Sequence, residues 1–378
     1  MKKRAGVTTA YIGTYTRRET FVDGKGAGIY VYSLDRATGV LTYQTETRGI
    51  INPSFLALAP GLKRLYAVSE TGSHAGEQGL VSAYAIDPNT HNLTYLNSQS
   101  THGLVPCHLA VANGERTVLV ANYVSGTLCV LPILEDGRLG EATDVIQLEG
   151  SGPHPRQEGP HAHMILPGPD GRFIYAVDLG SDRILIYRLD SERGKLSPAD
   201  PPWVKLKPGA GPRHITFHPN GRFAYTINEL DSTVSFLQRE TNDGSLQLQQ
   251  NISTLPDDFS GNYRGGDNLT AEIEVAPSGK YLYASNRGHD SIAIYAIDQT
   301  TGSLSHVGHE STQGLGPRHF VIDPSGRFLW VANQDSDTII PFRIDPGSGL
   351  LVDTGDTLHT PTPVCIQLLA KQPLPPVT

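Results

Sequence analysis

Three features of the sequence predict an all-β fold: a seven-bladed β-propeller of four-stranded antiparallel blades. One motif recurs six times, each copy holds short apolar or alternating runs between turn signals, and the two ends supply the parts of a seventh copy. The head carries AYIGTYT and then GAGIYVYSLDRATGVLTY, which reads as three strands. The first complete copy opens with PSFLALAPGLKRLYAVSE at Pro53, and the second with PCHLAVANGERTVLVANYVSGTLCVLPI at Pro106. AHMILPGPDGRFIYAVDLGSDRILIYRLD follows from Ala162 and GPRHITFHPNGRFAYTINELDSTVSFLQRE from Gly211. TAEIEVAPSGKYLYASNRGHDSIAIYAIDQ starts at Thr270 and GPRHFVIDPSGRFLWVANQDSDTIIPFRID at Gly316. Their shared turn falls at Leu62, Glu115, Gly171, Gly221, Gly279 and Gly326, at intervals of 53, 56, 50, 58 and 47 residues. The tail, TPTPVCIQLLA, resembles the first strand of a copy, so head and tail complete a seventh.

A lone four-stranded sheet cannot bury both faces; closing seven into a ring buries them and protects their edges. Pairing the terminal strands within one blade would lock that ring, and residues 1–378 are expected to form a single domain. The 40 glycines and 27 prolines are spread along the chain, as many short strands and turns require.

Composition narrows the function. No apolar run approaches 18 residues, so no membrane-spanning segment is expected. The start, MKKRAGVTTAYIGTYT, has a basic head without an apolar core and does not read as a signal peptide. A net charge of −8 argues against a nucleic-acid binder. Cys107, Cys129 and Cys365 lie far apart, which excludes a disulfide scaffold or a structural zinc site and points to a reducing, cytoplasmic setting. The expected oligomeric state is a monomer or a weak homo-oligomer.

The repeat also predicts a site. The start of each first strand and the end of each second strand should face one funnel. The first column reads Ser54, Cys107, His163, Arg213, Ala271, Arg318 and Val364; the second reads Tyr15, Glu70, Tyr123, Leu179, Glu229, Arg287 and Gln334. Structural columns are monotonous, as the aromatic one (Phe173, Phe223, Tyr281, Phe328) nearly is. These two are not, which suits an asymmetric ligand in a symmetric scaffold. Arg213, Arg287 and Arg318 offer planar forks for carboxylate or phosphate. His163 is the one side chain there expected to titrate near neutrality and so the natural acid/base; Glu229 is suited to orient an arginine, bind sugar hydroxyls or shuttle a proton. His214 and His319, one residue after an arginine, should point away and pack between blades.

Two insertions should overhang the funnel. GSGPHPRQEGPHAH adds His154, Arg156, Gln157, Glu158 and His161; PDDFSGNYRGGDN adds Arg264 and Asp267. The histidine cluster lacks the fixed spacing of a zinc site, and the recurring Asn122, Asp178, Asn228, Asn286 and Asn333 read as turn caps, not a calcium ring. No metal and no cofactor is expected. No nucleophile elbow, P-loop or dinucleotide fingerprint is present.

PRQEGPHAH, GPRHITFHPNGRFAYTINEL, LYASNRGHDSI and GPRHFVIDPSGRFLWVANQ resemble the seven-bladed propeller lactonases over essentially the whole chain. That family includes bacterial 6-phosphogluconolactonase and, more distantly, the fungal carboxy-cis,cis-muconate cyclase. The resemblance implies an active group of His163, Arg213, Glu229 and Arg287, with His161 an alternative acid/base two residues away. It implies hydrolysis of a small anionic sugar lactone, 6-phosphoglucono-δ-lactone in the pentose phosphate pathway, without a cofactor. Substrate contacts are then expected from His161, Arg156, Gln157, Arg318, Glu70, Gln334 and Tyr123. The alternatives are lactonisation of a carboxylated muconate and a non-catalytic binding platform.

Overall fold

The computed structural model describes residues 7–61, 63–74, 76–112, 114–259 and 268–369. Leu62, Arg264 and Asp267 lie outside them. Seven antiparallel sheets are present, and no helix occurs among the described residues. Six sheets have four strands; in the seventh the outer strand is split into Leu351–Asp353 and Leu358–His359.

The expected closure is present. Val7–Thr14 pairs with Ile29–Asp35 on one side and with the C-terminal Pro363–Leu368 on the other, in the register Tyr11↔Gln367 and Ile12↔Ile366. Pro363–Leu368 thereby becomes the innermost strand of the first blade. It neighbours the innermost strands on either side, Pro317–Ile322 and Leu56–Leu58, so the inner strands form a closed ring.

Burial follows the alternation of the strands. Seven apolar clusters each join two adjacent blades; Phe173, Tyr175, Ile215 and Leu237, for example, belong to one. The core is therefore a set of seams between blades, not a centre. Each seam is also tied by a polar contact. The hydroxyls of Tyr175, Tyr225 and Tyr283 donate to the carbonyls of Gly244, Gly302 and Gly349 in the next blade's outer turn, at 2.7, 2.8 and 2.8 Å. Gly302 has φ +81°, and a Cβ there would lie 2.5 Å from Phe236, so both its conformation and the close approach require glycine. The aromatic column meets the same turns: a Cβ on Gly244, Gly302, Gly349 or Gly39 would lie within 2.8 Å of Phe173, Phe223, Tyr281 or Phe328, respectively.

The asparagine column has a related duty. Asn122, Asn228 and Asn333 donate to Thr127, Thr233 and Thr338 at 3.0, 2.8 and 3.3 Å, tying second strand to third. They fasten the hairpin across its mouth, where the sequence suggested caps on their own backbone.

Candidate active site

Six of the seven inner strands, all but Leu56–Leu58, depart from regular pairing near their start. Pro106 faces Asn122 but His108 faces Ala121; Pro212 faces Asn228 but His214 faces Ile227; Pro317 faces Asn333 but His319 faces Ala332. Cys107, Arg213 and Arg318 are the extra residues, and His163 holds the same place between Ala162 and Met164. A bulge re-aims the side chains on either side of it. Two consecutive residues per blade therefore serve the channel, and they form two layers.

The upper layer opens into a cavity of about 810 Å3 at one mouth of the channel. Of the expected residues, Glu70, Tyr123, Arg156, His163, Glu229, Arg287, Arg318 and Gln334 line it. Arg213 lies beneath its floor, beside a void of about 10 Å3 whose walls include Glu70, Cys107 and Arg318. Glu229 is the hub. Its Oε1 lies 2.7 Å from Arg156 Nη1, and its Oε2 lies 2.9 Å from Arg287 Nη2 and 3.2 Å from Arg213 Nε. Burial would raise this carboxyl, but the charges of Arg287, Arg156 and Arg213 together hold it well below the usual carboxylate range. Burial, then Arg287 and Arg318, pulls the Arg213 guanidinium down to about 10.

His163 is buried with its ring edge-on to Tyr123 and its Nδ1 3.8 Å from Cys107 Sγ. Burial, then the charges of Arg213, His214 and Arg318, holds it well below the ordinary histidine value, so the imidazole is neutral at pH 7. Across the cavity, the Tyr15 hydroxyl donates to Glu70 at 2.9 Å from both carboxylate oxygens, and Arg318 lies over the Tyr15 ring.

Two expected contacts are placed elsewhere. Gln157 is fully buried and donates to Leu179 O and Asp182 Oδ1, both at 2.7 Å, so it braces its own loop and does not reach the cavity. His161 stacks on Tyr123 with its Nδ1 3.0 Å from that residue's carbonyl, behind the cavity wall. The insertion does deliver His154 and Arg156 to the cavity.

A further correction concerns the lower layer. His214 and His319 do not pack between blades; with Phe55 and His108 they converge on the channel axis. The bulge is the cause, because it turns the residue after each arginine inward. Between them sits Glu272, 2.9 Å from His214 Nδ1 and 3.5 Å from His319 Nε2.

The column reading also misses Thr20, Phe21 and Ser73, which line the cavity from longer connections after Tyr15 and Glu70. The signal was length: fourteen residues separate Thr14 from Ile29, against four between Asn228 and Thr233.

A seven-bladed propeller with a buried imidazole set among guanidinium groups at one channel mouth has the make-up of a propeller enzyme with a small-molecule site. The chain belongs to the lactonases with a seven-bladed β-propeller: the family description Lactonase, 7-bladed beta-propeller, matches residues 9–368. Its activity class is lactone hydrolysis. It is 38% identical over 363 residues to 6-phosphogluconolactonase of Bacillus subtilis, covering 95% of this chain and 97% of that one. It is 35% identical to 6-phosphogluconolactonase of Formosa agariphila over 83% of this chain and 86% of that one. Among solved structures, the periplasmic gluconolactonase of Pseudomonas aeruginosa superposes with a TM-score of 0.89 at 32% identity, covering 97% of this chain and 100% of that one. Among the described residues, no helix is long and apolar enough to cross a membrane.

Proposed function

We propose that the protein hydrolyses 6-phosphoglucono-δ-lactone to 6-phosphogluconate, as its relatives' names suggest for those proteins. The observation that carries this reading is charge. Arg156, Arg213, Arg287 and Arg318 surround the site against the carboxylates of Glu70 and Glu229, an excess that suits a dianionic phosphate monoester. Neutral His163 takes a proton from water as the water attacks the lactone carbonyl. Arg318, whose charge acts on His163, stabilises the oxyanion. The ring C–O bond then breaks, its oxygen takes the proton back from His163, and the new carboxylic acid ionises, releasing one proton to solvent. Arg287 and Arg156, flanking Glu229, hold the phosphate.

The gluconolactonase likeness favours a second reading, in which the unphosphorylated lactone is the substrate. Rates on 6-phosphogluconolactone, gluconolactone and carboxymuconate, with and without EDTA, separate these. The phosphorylated lactone should give the highest kcat/KM, unchanged by chelation. Equal values for the two lactones would remove the phosphate from the reading, and turnover of carboxymuconate alone would replace it. The proposal extends to a cytoplasmic chain acting as a monomer or weak homo-oligomer. Cell fractionation and sedimentation velocity check both, and an extracytoplasmic pool or a stable oligomer would overturn that part.

A further inference from the structure

Beneath the cavity, Arg213 is held on a chain of hydrogen bonds that the lactonase chemistry does not itself require. Its Nη1 donates to Ala271 O at 2.6 Å and lies 3.3 Å from His214 Nε2. A guanidinium has donors and no acceptor. His214 Nε2 must therefore accept, which leaves the ring proton on Nδ1, 2.9 Å from Glu272 Oε1. Donation then runs in one direction, from Arg213 through His214 to Glu272. The carboxylate end is itself fixed. The amide of Ile273 donates to Oε1 at 3.0 Å, and His319 Nε2 lies 3.5 Å from Oε2. Glu272 is 5% exposed, His214 2% and Arg213 3%, so little water competes for these bonds.

Position in the repeat sharpens the point. In the lower layer the corresponding residues are Phe55, His108, Met164, His214, His319 and Cys365, and only the blade at 269–311 supplies a carboxylate. That carboxylate faces the histidine that follows Arg213 directly in sequence. A plug that merely closed the channel would be met by another apolar or aromatic side chain.

We propose that Glu272 is a positioning residue for Arg213. By fixing His214 as the Nδ1–H tautomer, it keeps Nε2 open to the guanidinium and holds Arg213 Nε against Glu229. A His214 carrying its proton on Nε2 would set N–H against N–H and push Arg213 out of line. The inference rests on the proposed lactonase reading only for its kinetic arm.

The test therefore has two arms. In 15N-histidine NMR of the intact protein, His214 should appear as the Nδ1–H tautomer in wild type and in Glu272→Gln, whose amide oxygen can still accept. In Glu272→Leu the Nε2–H form should gain population. In parallel, kcat/KM on 6-phosphogluconolactone should fall about tenfold in Glu272→Leu and be largely kept in Glu272→Gln, as expected for loss of one bond supporting a charged group. An Nε2–H tautomer in wild type would overturn the proposal whatever the substrate proves to be. So would a Glu272→Leu protein with unchanged tautomer or with full activity. Should Glu272→Leu fail to fold, His214→Asn supplies the kinetic arm, and the wild-type spectrum alone still decides the tautomer. Failure of the lactonase reading would show instead as no turnover by wild type, with the NMR arm intact.

Discussion

Glu229 draws three guanidinium groups together, so each arginine is partly committed before any ligand arrives. Arg287 gives Nη2 to Glu229 and to Thr270 O, and Nε to Leu269 O, which fixes the plane of its fork. Arg287→Lys keeps the charge but loses that geometry. About 2 kcal/mol is expected, roughly 30-fold in kcat/KM, for the phosphorylated lactone. Unphosphorylated gluconolactone should be much less affected; an equal loss on both would move Arg287 to the oxyanion. His163→Ala should lower kcat by about 100-fold or more, as for a general base, and raise KM less. His161→Ala should do less, because its ring lies behind Tyr123. Since burial and nearby cations depress the His163 pKa, its acid form appears only well below 6.5. The acid limb of kcat should accordingly lie below that pH, and a limb centred at 6.5 would assign the step to another group.

Elements show where sequence reasoning succeeds and where it stops. The strand count, the closure and the two columns are legible because each copy repeats the same turn, so position in one blade predicts position in all. What strict alternation cannot reveal is a bulge: it leaves the sequence pattern intact and shifts the pairing by one residue. That is why Arg213 sinks below the floor and His214 faces the axis. Gln157 misled for a different reason, since a polar residue in an inserted loop can serve the loop's own backbone. The connection carrying Thr20 and Phe21 is clasped to the neighbouring blade by Arg17, whose Nη1 and Nη2 lie 2.6 and 2.7 Å from the two oxygens of Glu77. The pair is partly exposed, so its direct contribution to stability is small, at most about 1 kcal/mol. Its effect should be on the cavity wall. Glu77→Ala should raise KM several-fold with little change in Tm, measured by steady-state kinetics and calorimetry. A drop in Tm with unchanged KM would show the clasp to be purely structural.

At the scale of the whole molecule, the closing seam uses the same device as the others. Trp330 Nε1 donates 2.9 Å to Gly39 O, joining the last blade to the first. A ring built this way leaves a narrow axial channel, and the chain fills it with histidines and carboxylates at a cost that depends on pH. Burial, then neighbouring charges, holds His108, His163 and His214 well below 6.5, and burial, opposed by Glu272, holds His319 at about 4. An unfolded chain takes up these protons near 6.5, whereas the folded one does not. Their contribution to stability is therefore complete above 6.5 and is lost as the pH falls toward the folded values. Glu229, held low by its arginines, adds stability that is present above 4.5 and lost as the pH falls below it. Glu272, Glu274 and Asp178, raised by burial, act in the opposite sense, contributing at low pH and losing that contribution as the pH rises through their folded values. These four histidines outnumber the three carboxyls, so unfolding should take up protons on balance as the pH falls below 6.5. Calorimetry should show Tm falling steadily from pH 7 to pH 5, and His319→Gln should flatten part of that slope. A Tm independent of pH across this range would mean that the channel histidines take up their protons without unfolding.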